Sequence, residues 1–131
     1  MKTNKILVFS GAAILLAFII CYWVYSNKFY YPTLPFERIT KKEAVWKLEN
    51  GNHELVELEK VNGYYWLGFK GNQQEGRDKI NKKMEDQGLN YDSFDGNGIF
   101  FEKEDRVIIT GTMWTRNYVL YKVPAEVMAA N

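Results

Sequence analysis

The sequence predicts an α+β protein: an N-terminal transmembrane helix followed by a small domain of order α-β-β-α-β-β-β with an antiparallel sheet. Three observations carry this expectation. Ile6 to Tyr25 is a run of 20 residues without a charge. Asn62-Gly63 joins two runs rich in β-branched and aromatic residues, the pattern of a two-residue hairpin. Polar residues 73–87 then carry a narrow apolar stripe at helical spacing, and strand-like runs separated by turn residues follow.

The apolar run, ILVFSGAAILLAFIICYWVY, spans roughly 30 Å as a helix, the hydrocarbon thickness of a bilayer. Tyr22, Trp23 and Tyr25 cluster at its C-terminal end, where an apolar ring with a polar edge suits the membrane interface. Three fates compete for the segment. Lipidation of Cys21 is disfavoured by the bulky Phe18-Ile19-Ile20 before it. Cleavage after Ser26 has tolerable residues in Val24 and Ser26 but a long apolar region for a signal peptide. Retention as a signal anchor fits the length and the aromatic belt. Lys2 and Lys5 immediately precede the run and only Lys28 is close behind it, which places the N-terminus in the cytoplasm and the domain outside. The expected location is the cell membrane, single-pass, with secretion after cleavage near Ser26 as the alternative.

Residues 1–25 are thus the anchor and 26–39 a juxtamembrane linker, in which Pro32 and Pro35 favour an extended stalk. Residues 40–124 form the domain and 125–131 a frayed or weakly helical tail. Thr40-Lys41-Lys42-Glu43 matches a capping box, and a helix from about Lys41 to Asn50 places Ala44, Val45 and Leu48 on one face. In the hairpin, pairing Val61 with Tyr64 sets Leu58 against Leu67 and Val56 against Phe69. The opposite face carries Glu57, Glu59, Tyr64 and Trp66, as expected of a sheet covered on one side only. Trp66 there is either a contact residue or a side chain packed under the first helix or the stalk.

The next helix, capped by Gly88, has Ile80 and Met84 inward and charges at i,i+4 spacing outward. Its Arg77/Lys79/Lys82/Lys83 cluster is interleaved with acids and reads as a solvated face. Asn90 to Gly98 reads as a turn-rich loop. Three strands complete the domain: Ile99–Glu102, Arg106–Trp114 and Tyr118–Val123.

Composition excludes several functions. Without Lys2 and Lys5 the chain has 15 basic against 16 acidic residues, so no electrostatic footprint for nucleic acid. One cysteine and one histidine leave no intramolecular disulfide and no Cys/His zinc spacing. The acids of NYDSFDGNG fail the calcium-loop template, since Phe94 stands where a fifth-position ligand belongs. His53 reads as a loop residue, and Glu57 and Glu59 as exposed carboxylates with nothing to separate their acidities. No nucleophile–base set, phosphate loop or dinucleotide fingerprint is present, and no cofactor is implied. Aromatics and arginine remain. Trp114, Arg116 and Tyr118, with Tyr64 and Trp66, are the residue types that dominate interface hot spots, set against the plainer reading of a hairpin with aromatics in the core.

The block GNGIFFEKEDRVIITGTMWTRNYVLYKVP, about a quarter of the chain, resembles small uncharacterised membrane-anchored proteins of Bacillus-like bacteria. The resemblance rests on a Gly-x-Gly, a Phe-Glu-Lys and a Thr-Arg before a strand ending in Val-Pro. It implies a Gram-positive cell-surface setting and carries no activity and no site residues. The expectation is a membrane-anchored, extracytoplasmic, non-catalytic binding or regulatory module. Its partners would be the lipid bilayer and another membrane or envelope protein. The alternatives are a structural or immunity-type protein acting through its helix and an envelope enzyme using carboxylates.

Overall fold

The computed structural model describes residues Lys2 to Met128. The elements are α1 (Lys2–Asn27), α2 (Lys41–Glu49), β1 (Val56–Val61), β2 (Tyr64–Lys70), α3 (Gln73–Asp86), β3 (Asn90–Asp95), β4 (Gly98–Glu102), β5 (Arg106–Thr115), β6 (Tyr118–Pro124) and α4 (Ala125–Met128). The expected order is present with one strand more. Residues 129–131, the end of the expected tail, lie outside the described residues.

One six-stranded sheet runs β1-β2-β6-β5-β4-β3, and every neighbouring pair is antiparallel. The hairpin β3–β4 thus ends one edge and β1 the other. Asn90–Asp95, expected as a loop, is the edge strand β3, with all six residues exposed. Polar side chains suit that position, because acids and a bulge protect an open edge from pairing with another chain. Asp92 and Asp95 supply the charge, and the register shifts between Tyr91 and Ser93.

Over β1, β2 and β6 the sheet is covered on both faces, not on one. On the first face, Leu67, Phe69, Val119, Tyr121 and Ile109 meet Ile80 and Met84 of α3. On the second, Leu58, Leu120, Trp114 and Tyr118 meet Ala44 and Leu48 of α2. The 26–39 segment joins that second layer. Leu34 and Phe36 are buried in it, so the expected stalk is a strap laid across the sheet.

The hairpin register follows the expectation only near its turn. Val61 pairs with Tyr64, Lys60 with Tyr65 and Glu59 with Trp66; beyond them a bulge sets Glu57 against Leu67 and Val56 against Gly68. Gly68 is the cause. It leaves a hole over β2 that the side chains of Leu48 and Leu58 fill, and a methyl group there would collide with both. Leu58 and the next residue, Glu59, are both buried as a result. Glu59, expected on an exposed face beside Glu57, is a correction: its side chain is only 4% exposed.

Both longer domain helices start on side-chain caps. Thr40 Oγ1 accepts from the Glu43 N–H at 3.1 Å, as the capping box requires, and Asn72 Oδ1 accepts from the Glu75 N–H at 2.8 Å. Gly88, at φ +86, ends the α3 region as expected. The charges of α3 reach outward in part: Lys79 pairs with Glu54 at 2.6 Å rather than with Glu75 one turn away. Apart from the domain, α1 is long and apolar enough to cross a bilayer. Its large apolar side chains from Ile6 to Ile20 are exposed.

Candidate functional site

Of the five residues singled out by sequence, four separate into two places and Arg116 stands apart. Trp114 and Tyr118 are buried and form a clasp for the strap. Trp114 Nε1–H donates to the Pro32 carbonyl at 2.8 Å, and its ring meets Tyr31 edge-on at 5.2 Å. The Tyr31 ring also lies 6.5 Å from that of Tyr118. Lys41 Nζ donates to the Tyr31 carbonyl at 2.8 Å, tying the start of α2 to the same turn. As exposed contact residues, then, Trp114 and Tyr118 are corrected. A bulge between Met113 and Thr115 turns Trp114 inward under the strap. Arg116 is exposed in the β5–β6 turn and belongs to neither group.

The clasp continues as a polar chain. The Tyr118 hydroxyl donates to Glu49 Oε1, and Lys70 Nζ pairs with Glu49 Oε2 at 2.6 Å. These two donors, Lys70 first, hold the Glu49 carboxyl below the usual carboxylate range. Burial, then the adjacent carboxylate, pushes the Tyr118 hydroxyl well above an ordinary tyrosine. His53 lies in the preceding loop with Nδ1 3.2 Å from the Lys70 carbonyl oxygen. Its loop position is the expected one.

Tyr64 and Trp66 occupy the second place. Trp66 is half-buried beneath Phe36 of the strap, ring centroids 5.7 Å apart, so the packed alternative describes it better than the contact one. Tyr64 is exposed, with the Lys122 ammonium 4.2 Å from its ring centre. Toward β5, β4 and β3 the strap and α2 end, and this face lies open. Ile108, Thr110 and Thr112 are exposed on it, and the Arg106 guanidinium stacks 4.3 Å from the Phe100 ring centre. Between the strap and β5 runs a groove of about 360 Å³ with Pro32, Leu34, Trp66, Thr112, Met113 and Leu120 on its walls. The face is aromatic and aliphatic, with cations already laid over rings.

Sequence reasoning missed Phe100, Arg106, Ile108, Thr110 and Lys122. Their alternation along β4, β5 and β6 is visible in the sequence. Which of the two faces the helices leave open was not, since α2 and the strap cover only one half. Among the described residues no three His, Cys, Asp or Glu side chains converge as a metal site. Tyr22, Trp23 and Tyr25 lie exposed at the end of α1, with Trp23 4.8 Å from Phe29 and Tyr25 stacked on Tyr30 at 6.1 Å. The aromatic cluster therefore continues past the helix into the strap. No family model, curated protein or solved structure matches the chain.

Proposed function

We propose that the protein is a membrane-anchored, extracytoplasmic, non-catalytic binding or regulatory module. Its domain would engage another membrane or envelope protein through the open half of the sheet. The observation that carries this reading is the open face itself: Phe100, Ile108 and Tyr64 among exposed threonines, beside an apolar groove, on a sheet otherwise covered. The exposed α1 supports the anchor, because apolar side chains over 20 uncharged residues require an apolar surrounding. Lys2 and Lys5 ahead of the span, against Lys28 alone just behind it, support an outside domain. Retention rather than cleavage is supported by the helix continuing through Val24-Tyr25-Ser26 to Asn27, whose Nδ2–H₂ donates to the Trp23 carbonyl at 2.9 Å. Secretion after cleavage near Ser26 is the alternative, and the intact mass of the mature protein decides between them.

A second reading, a structural or immunity-type protein acting through its helix, has its own observation: the apolar side chains of α1 are free on all sides. Exchanging Ile6–Tyr25 for an unrelated apolar span of equal length separates the two. The binding reading expects the phenotype of a deletion strain to be rescued by the exchanged protein. Failure of rescue by a correctly inserted, folded protein supports the helix instead. A carboxylate-using enzyme is the weakest reading, since Glu57 is exposed and Glu59 is sealed beneath the strap.

A further inference from the structure

Where the strap leaves α1 there is a groove of about 460 Å³. Asn27, Phe29, Leu34, Phe36, Ile39 and Lys41 are among its walls. Leu34 and Phe36 are buried, Ile39 is half-buried and the Phe29 ring is exposed. Apolar surface left in water costs about 25 cal/mol per Å², so the groove favours an occupant with an apolar part.

Position decides what that occupant is. Asn27 ends α1 and is also a groove wall. It stands two residues past Tyr25, about 3 Å along the helix axis. With Trp23 and Tyr25 at the edge of the hydrocarbon, Asn27 falls inside the headgroup layer, which is roughly 5–7 Å deep on each side. The groove begins at that level, so the lipids beside α1 are its nearest neighbours.

Two charged side chains of opposite sign line the groove. Among the described residues neither Lys41 nor Glu37 is in an ion pair. Lys41 Nζ donates to the Tyr31 carbonyl at 2.8 Å and to the Phe29 carbonyl at 3.4 Å. An ammonium has three donors, so one is left for a ligand. Glu37 is exposed in the same groove. A cation and an anion side by side complement a zwitterionic head better than a purely anionic one.

We infer that the groove seats one zwitterionic phospholipid of the leaflet at the C-terminal end of α1. Its phosphate lies on Lys41, its ammonium beside Glu37, and its glycerol and first methylenes against Phe29 and Ile39. The inference rests on the reading of α1 as an anchor and goes beyond it, because the domain as well as the helix then holds lipid. The open sheet face takes no part.

The full chain in phosphatidylcholine nanodiscs, with protonated isoleucine methyls in a deuterated background, tests the inference. Protein–lipid nuclear Overhauser cross-peaks then report contacts at van der Waals range. The Ile14 methyl, within α1, should show cross-peaks to acyl-chain protons, and the Ile39 methyl to glycerol and first-methylene protons. Ile80, at 0% exposure, should show neither. Phe29→Asp, at an exposed ring, should abolish the Ile39 cross-peak and spare that of Ile14. Phosphatidylglycerol keeps the phosphate and lacks the ammonium, and should weaken the Ile39 cross-peak by about threefold, the scale of one exposed ion pair. Ile14 contacts without Ile39 contacts overturn the groove and leave the anchor reading standing. Absence of Ile14 contacts in the folded protein overturns the anchor reading and the inference together. Survival of the Ile39 cross-peak in Phe29→Asp overturns the lipid seat, and an equal cross-peak in phosphatidylglycerol overturns the zwitterionic assignment. Ile39 contacts to an unlabelled copy of the chain, in place of lipid, assign the groove to self-association and overturn the inference.

Discussion

Glu59 is a carboxylate held inside the second layer with both oxygens lacking a hydrogen bond among the described residues. Its ionic contact is Arg38 Nε at 3.6 Å, on a side chain that is itself 80% exposed. A charge so placed destabilises unless it is paired, and a solvated partner pairs it poorly. Glu59→Leu is therefore expected to stabilise the domain by about 1 kcal/mol, and Arg38→Ala to destabilise it in the native background but not beside Glu59→Leu. Urea midpoints of the four proteins of that cycle measure both effects. At Glu49 the sign of a pH effect follows from its lowered pKa. A carboxyl more acidic in the folded than in the unfolded state contributes stability that is complete above its unfolded pKa. That contribution is lost as pH falls through the usual carboxylate range and below it. Glu49→Gln should flatten this part of the stability–pH curve and leave the region above neutrality largely unchanged. Little of this was legible at single residues. Glu59 reads as exposed because the face it shares with Trp66 was expected to be open, and the strap laid over that face reverses this.

At the scale of elements, the strap and α3 show where local sequence suffices and where it does not. Thr40-x-x-Glu43 and Asn62-Gly63 act within four residues, so the start of α2 and the β1–β2 turn could be read directly. The bulge answers to Gly68 meeting Leu48, a contact between α2 and β2 that no local pattern contains. Trp114 bonds to Pro32 across 82 residues, and that separation is why its burial was invisible and the linker read as a free stalk. Trp114→Ala should cost about 3–5 kcal/mol in chemical denaturation, through the cavity and the lost anchor for the strap. In α3, Gly76 is a poor helix former kept for space. Gly76→Ala raises local helix propensity by about 1 kcal/mol, yet it should destabilise the domain by about 1–3 kcal/mol by striking Tyr121. Tyr121→Phe in the same chain should return part of the loss, measurable as a coupling between the two sites.

For the whole molecule, the sheet divides the labour. One half is closed on both faces and clasps the strap that leads from α1; the other half leaves one face open. The clasp ties the domain to the end of α1 through Tyr31, Trp114 and Lys41 rather than letting it swing on a linker. Under the proposed reading of α1 as an anchor, this tie would fix the direction in which the open face is presented to a partner. The long apolar helix, the α+β class and the antiparallel sheet were legible because each rests on composition or period. The open face was not, because it depends on where two covering layers stop. A photo-crosslinking residue at Thr110 in the full chain, expressed in its host membrane, tests the central claim most directly. The expected result is one discrete protein adduct that is absent from the same probe at Lys82 on α3 and is lost on Ile108→Glu. No adduct from Thr110 in a folded, membrane-inserted protein, together with a discrete adduct from a probe at Phe18 in α1, would contradict the account and assign the function to the helix.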